Sequence, residues 1–216
     1  MGQGRQKLEE YKNMKKILEK RERSLGTKLS IKGHRCNSPK CALIRKPYRP
    51  GMHGKSRSKK SEFGKQVNEK QKIRFTYGLK DRQLEAIFRV AERAHEPTPV
   101  IVMSELERRL DNVVFRLGFA DARSSARSLV SHGHIMLNGR KVTIPSISLK
   151  PGDKVSIRPE SREIANFKEL GDKLKNYEVP GWLALDKSKL EGTMKSLPKD
   201  VDVPFDIGQV VDYYSR

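Results

Sequence analysis

The side chains best placed to do chemistry in this 216-residue chain are its cations, 46 Lys and Arg against 26 Asp and Glu. Residues 1–80 hold 24 Lys and Arg but 6 Asp and Glu, whereas residues 81–216 hold 22 and 20. A dense run of cations that meets phosphates releases condensed counterions, and that release drives binding to a polyanion. The first third of the chain is therefore expected to lie on nucleic acid. A solvated basic arm is the blander reading, and the Gly, Pro, His and Tyr spaced through the run argue against it. Bond-making chemistry finds little support. Gly54-Lys55-Ser56 resembles the end of a phosphate-binding loop, but the required first glycine falls at Arg49 and no apolar strand precedes it. Among 5 His and 2 Cys, no nucleophile, base and orienting group fall at useful spacing. Cys36 and Cys41 supply two thiolates where a structural zinc site needs four ligands, so reduced, metal-free cysteines are expected.

The elements that position these cations follow from periodicity. Leu8, Tyr11, Met14 and Leu18 form a helical stripe within Lys7–Arg23. From Ser30 to Lys60 the pattern lapses into Gly, Pro, Ser and basic residues, which predicts an extended loop segment. Helices are predicted over Ser61–Tyr77, stopped by Gly78, and over Asp81–His95, with Asp81 as cap and Pro97 and Pro99 closing the region. Ser104-Glu105-Leu106-Glu107 reads as a capping box for a helix that runs to Leu117, with Gly118 after its end. A second helix, about Ala122 to His132, presents Arg123 and Arg127 one turn apart and ends at Gly133. Asn138-Gly139 predicts a hairpin turn between His134–Leu137 and Lys141–Ile144, and Lys154–Ile157 a third strand. Beyond it the pattern predicts a helix near Ser161–Tyr177, a packing segment Trp182–Leu185, turns at Gly192 and Pro198, and a strand around Gln209–Tyr214. No stretch approaches the roughly 18 apolar residues of a membrane span. The opening MGQGRQKLEE has no apolar signal core, so an intracellular protein without a membrane partner is expected.

Three motifs carry a resemblance. Arg109–Phe119 (RLDNVVFRLGF), Ala126–Ile135 (ARSLVSHGHI) and Asn138-Gly139-Arg140 closely resemble the RNA-binding module named after the fourth protein of the small ribosomal subunit. The flanks resemble that ribosomal family itself, of bacterial or organellar type. Upstream are Arg35–Ala42 (RCNSPKCA), Pro50–Gly54 (PGMHG) and Glu69–Gly78 (EKQKIRFTYG); downstream are Trp182–Asp186, Leu190-Glu191-Gly192 and Tyr214-Ser215-Arg216. The resemblance implies an α+β fold: a helical domain with an inserted helix-helix-hairpin RNA-binding module and a basic extended N-terminal segment. The expected division is 1–60 for the basic RNA-contacting extension, 61–103 for the first part of the helical domain, 104–174 for the module and 175–216 for a C-terminal segment packing with the helical domain. It also implies a structural ribosomal protein without cofactor or enzymatic activity. Such a protein binds a junction in the 5′ domain of small-subunit ribosomal RNA in the cytoplasm, nucleates subunit assembly and supports translational accuracy. It lies beside small-subunit proteins three and five, where messenger RNA enters. The alternative is an RNA-modifying enzyme or regulator that uses the same module; an enzyme of that kind needs a catalytic domain of roughly 100 residues or more beyond it.

The residues expected to meet RNA follow the motifs. In the upstream motifs they are Arg35, Lys40, Arg45, Arg49, His53 and Lys55, then Lys70, Lys72, Arg74 and Tyr77. In the module they are Arg109, Arg116, Arg123 and Arg127 on the two helices, and His132, His134, Asn138 and Arg140 at the helix-to-hairpin corner. A guanidinium forks onto phosphate oxygens or stacks on an unpaired base. The competing reading pairs these arginines with Glu105, Glu107 or Asp111. It is weakest for Arg123 and Arg127, which have few acidic neighbours at helical spacing and so read as surface residues, replaceable within about 0.5 kcal/mol. The chain departs from the family at Ala122, where a Ser or Thr cap is usual, and at Ser124, often basic; Asp121 is left as the candidate cap. Zinc-binding relatives carry a further cysteine pair upstream of Cys36, which is missing here; Glu19 and Glu22 stand at about that distance, and His34 or His53 could substitute, but carboxylates are unusual in such sites.

Overall fold

The computed structural model describes residues 20–56, 59–164, 167, 169–199 and 201–215. Most of the predicted Lys7–Arg23 helix lies outside the described residues. The chain divides into two compact units, one drawn from residues up to Lys80 with those from Val203 onward, the other Asp81–Asp202.

In the first unit, residues 20–25 are helical (α1) and Ala42–Arg45 form a single turn (α2). The segment between them is folded rather than extended, because it closes on a buried carboxylate. Glu22 accepts the backbone N–H groups of Leu29 at 3.1 Å and Ile31 at 3.2 Å through Oε1, and Cys36 and Cys41 are buried nearby. Helix α3, Glu62–Tyr77, starts as expected on Ser61, whose hydroxyl accepts from the Gly64 N–H at 3.2 Å, and stops at Gly78. The last element of this unit is a helix (Ile207–Tyr214), where a strand was expected. Ile207, Val210, Val211 and Tyr214 recur at three and four residues, and Asp206 caps the Gln209 N–H; the β-branched and aromatic content hid a helical period.

The second unit opens with α4, Asp81–Glu92, which buries Leu84, Phe88 and Ala91. Pro97 and Pro99 do not close the region. They start α5, Thr98–Glu107, because proline's missing N–H costs nothing in a first turn. Ser104 therefore sits in the last turn of α5 instead of capping a new helix. The chain breaks at Arg108 and Arg109, and α6, Leu110–Arg116, begins with its first N–H groups bonded to Ile147 O at 2.8 Å and Pro145 O at 3.1 Å. A remote strand-like segment supplies the acceptors that a side-chain cap would otherwise supply. Helix α7, Arg123–Ser131, has Ala122 at its cap with no side-chain bond, so Asp121 does not take that role. Both α6 and α7 end in the paired bonds of a left-handed glycine stop, Gly118 and Gly133 donating to Phe115 O and Val130 O, and Phe119 and His134 to Val114 O and Leu129 O.

The sheet has five antiparallel strands in the order β2-β1-β3-β5-β4: β1 Ile135–Leu137, β2 Arg140–Val142, β3 Lys154–Ile157, β4 Leu183–Asp186 and β5 Glu191–Met194. The first three of these were expected. The predicted Asn138-Gly139 turn is present, both residues at positive φ (49° and 79°), and Asn138 also bonds Asp153 and the Lys154 N–H. The second hairpin comes from the segment read as packing and turn. Gly192 lies inside β5, opposite Val155 and Leu185, because Leu117 at the end of α6 packs onto that point and a Cβ there would collide with its δ carbons. In the long Ser161–Tyr177 region, Leu170–Leu174 is helical (α8) and Pro159–Ser161 a single 3₁₀ turn. The helix at Ile207–Tyr214 is α9. This grouping differs from the expected division: α4 packs on α5, and residues 183–194 complete the same sheet as the module's hairpin.

Gly192→Ala is expected to cost about 1–3 kcal/mol by overpacking. Combined with Leu117→Ala it should lose less than the two single losses together, because the collision partner is gone; urea denaturation of the four chains measures that coupling.

Candidate nucleic-acid interface

The four module arginines converge on two buried carboxylates. Glu107, 0% exposed, closes α5, and Asp111, 3% exposed, lies in the first turn of α6. Arg116 grips Glu107 with two bonds, Nε to Oε2 at 2.9 Å and Nη2 to Oε1 at 2.8 Å. Arg109 bonds both oxygens of Asp111 at 3.2 and 3.1 Å, and Arg127 donates to Asp111 Oδ2 at 3.0 and 2.6 Å. Asn112 ties the halves together. Its amide donates to Glu107 O and Oε2, each at 2.8 Å, while its Oδ1 accepts from Arg123 Nε at 2.7 Å. The Arg123 guanidinium lies 4.5 Å over the Phe115 ring.

This corrects the expectation for Arg123 and Arg127. Their partners come from α6 and from the end of α5, across helices, and spacing along α7 carries no trace of them. The pairing expected as the competing reading for Arg109 is what it does. Two acids against four guanidiniums leave a local excess of two positive charges. The Arg127 side chain, 37% exposed, is the most accessible of the four, and Arg109 is buried. Hydrogen bonds to a buried acid lock the guanidinium planes, so anion recognition at the exposed edges needs little further ordering.

At the helix-to-hairpin corner, His132 and Arg140 are exposed. His134 is half-buried, its Nδ1 sharing a 2.9 Å bond with Ser161 Oγ and its ring beside Phe167, and the Asn138 side chain is committed to its own turn. His134 is thus turned into the corner, while Asn138, itself exposed, is held to its turn.

In the other unit, Arg35, Lys40, Arg45, His53 and Lys55 are exposed. Lys55 and Arg23 both lie over Tyr48, at 5.3 and 5.1 Å, and Arg23 donates to the carbonyls of Lys46, Tyr48 and Arg49. Arg49 is half-buried, and its carbonyl abuts Gly54, where a Cβ would collide with it. On α3 the structure corrects one residue and constrains three. Tyr77 is 2% exposed, edge-on to Phe205, and presents no ring face to a base. Lys72 pairs with Glu69 at 2.6 Å, Arg74 bonds Gln71 and Leu79 O, and Lys70 bonds the Tyr213 hydroxyl at 3.1 Å. Lys60, which sequence reasoning missed, is exposed over much of its side chain; partial desolvation of its ammonium pushes it below the ordinary range, and the neighbouring Arg49 and Lys72 push the same way against Glu69. Lys60 thus belongs to a cation cluster assembled from three separate segments.

The Cys36 sulfur lies 3.9 Å from both Glu22 oxygens and accepts the Lys32 N–H at 3.4 Å; burial pushes its thiol up, and the Glu22 charge adds to that. Among the described residues no three His, Cys, Asp or Glu side chains are grouped to hold a metal, and Glu19 lies outside those residues. Nor is any described helix long and apolar enough to cross a membrane.

Comparison with known proteins matches residues 7–107 to the ribosomal protein S4/S9 N-terminal domain and residues 108–155 to the S4 domain. The chain is 46% identical over 192 residues to small ribosomal subunit protein uS4 of Geotalea daltonii, covering 88% of this chain and 92% of the relative. It is 45% identical over 194 residues to the protein of that name from Natranaerobius thermophilus (88% and 93%) and 44% over 196 residues to that from Gloeobacter violaceus (90% and 94%). An α+β unit whose arginine-bearing helix pair leads into an Asn-Gly hairpin, preceded by a basic segment and matched nearly end to end by these relatives, makes this chain a member of the small ribosomal subunit protein uS4 family.

Proposed function

We propose that this chain is a structural, non-enzymatic component of the small ribosomal subunit in the cytoplasm, where it binds ribosomal RNA through two basic surfaces. The observation that carries the reading is the arginine array held on α6 and α7 by Glu107 and Asp111. An excess of two positive charges, fixed in place at a helix-pair surface, suits the phosphates of a folded RNA better than it suits a protein core. The cations of residues 1–80 extend the footprint, and the ribosomal naming of the relatives supports the setting. Within the subunit, the reading assigns it a multi-helix junction of the 5′ domain, an early place in assembly, and neighbours that are small-subunit proteins three and five. Its remaining contact is with messenger RNA where the strand enters, through which it supports accuracy. The proposed RNA contacts are the exposed residues Arg35, Lys40, Arg45, His53, Lys55, His132 and Arg140, with Arg49, Lys70, Lys72 and Arg74 beside them and the outer edges of Arg116, Arg123 and Arg127.

Binding of the purified chain to a 5′-domain ribosomal RNA fragment, measured across salt concentrations, is expected to give a log–log slope of magnitude at least about 5. A slope near 1 contradicts a phosphate-dominated interface. Arg127→Ala should lower the slope by about one and also cost about 1–3 kcal/mol in urea denaturation, because a buried carboxylate loses hydrogen bonds.

Glu107→Gln tests the array from the other side. It leaves the surface cations in number but removes their buried anchor, and about 3 kcal/mol of stability should go with it, the low end for an orphaned buried pair because Arg116 keeps some solvent. Stability within about 0.5 kcal/mol of the parent, measured by the same denaturation, would show that the acid is not what holds the guanidiniums.

A further inference from the structure

Phe63 in the first turn of α3 and Lys70 midway along it both pack on the Tyr213 ring at the end of α9. The Lys70 ammonium lies 4.4 Å from the Tyr213 ring centroid, and the Phe63 ring stacks on Tyr213 at 5.7 Å with 29° between planes. Tyr214 meets Tyr213 edge-on at 5.1 Å, which fixes the middle ring from the side. Tyr213 is thus covered by Lys70 and Phe63, but Phe63 is 52% exposed. With one face on Tyr213, that exposure belongs to its opposite face and edge. Single exposed apolar side chains are ordinary on protein surfaces; what sets Phe63 apart is a ring held by stacking and set among cations. Lys60, exposed, lies beside Gly64 next to Phe63, and Lys59 precedes it; Glu62, the acid next to Phe63 in sequence, is paired with Lys65 at 2.9 Å.

We propose that Phe63, backed by Tyr213 and Lys70, is a stacking platform for one unpaired base of the bound RNA, with Lys59 and Lys60 receiving the adjoining phosphate. The inference rests on the RNA-binding reading above and adds a residue to it. A planar ring flanked by cations and poor in hydrogen-bonding groups takes any base by its π face, so the platform selects single-stranded geometry rather than sequence. An apolar side chain of a neighbouring protein is the competing occupant, and it needs neither ring planarity nor cations.

The test uses the full chain and the same 5′-domain RNA fragment at fixed salt. Phe63→Leu keeps an apolar side chain but removes the plane, and is expected to weaken binding about 5- to 100-fold. Phe63→Tyr should stay within about twofold of the parent. Phe63→Trp should bind as well as the parent, with the new indole fluorescence quenched on RNA addition; the one native tryptophan, Trp182, is buried and provides the baseline, read from the parent chain. Thermal melts guard against misfolding, and the exposed position predicts unchanged midpoints. If Phe63→Leu binds like the parent, or the indole introduced by Phe63→Trp is indifferent to RNA while the parent binds with its steep salt slope, the platform falls and the RNA-binding reading stands. A parent chain that does not bind the fragment overturns both.

Discussion

Two carboxylates taken out of water are the most demanding feature of this molecule. Each buried ion costs several kcal/mol, and a full complement of hydrogen bonds must offset it. Glu107 and Asp111 achieve that with Arg116, Arg109, Arg127 and Asn112, and the geometry of three helices follows. Helix α5 ends at Glu107 and α6 starts by Asp111, and the break between them lets Arg109 turn back onto the Asp111 carboxylate. Helix α7 has to lie close enough for Arg123 and Arg127 to reach across. The apolar contacts of Val113, Leu117, Ala126 and Val130 beneath provide most of the cohesive energy, while the polar layer above selects one arrangement of those helices.

The break between α5 and α6 is made possible elsewhere. A helix that starts abruptly leaves N–H groups unsatisfied, and the carbonyls of Pro145 and Ile147 take two of them. That segment is the connection between β2 and β3, so the loop that closes the sheet also starts the helix. Leu149 returns the contact by donating to Arg108 O at 2.8 Å. Gly192 shows the same economy in the second hairpin, where a missing side chain lets Leu117 seat the end of α6 on the sheet. Layer and site are therefore not separable: the positions that fix the helices on the strands are those that bring the arginines together.

Local rules make much of this readable from the residues alone. Ser61 and Gly78 bound α3, Gly118 and Gly133 stop their helices, and Asn138-Gly139 turns the hairpin, because each depends on the backbone within a few residues. What escapes is set at a distance. Ser104 and Glu107 fit a capping box, yet the true start of α6 is dictated by Pro145 and Ile147, far along the chain. Strands β4 and β5 are short, and Gly192 reads as a turn until Leu117 is placed against it. Tyr77 and the strand predicted at Gln209–Tyr214 fail for a related reason: aromatic and β-branched side chains suit a base, a strand or a core helix alike, and only packing decides. The arginines stand out in the sequence, but the partners of Arg116, Arg123 and Arg127 lie on other helices, beyond any periodicity rule.

The clasp around Glu22 bears on how this basic segment weathers its surroundings. Its shape depends on a carboxylate bonded to two backbone N–H groups, and the thiol beside it adds the Lys32 N–H to the same clasp. Alkylation and oxidation of cysteine begin from the thiolate. Cys36 is sheltered from both twice over, since the fold hides its sulfur and both burial and the adjacent Glu22 charge favour keeping its proton. Its sulfur is therefore expected to react with alkylating and oxidising agents more slowly than an exposed thiol would.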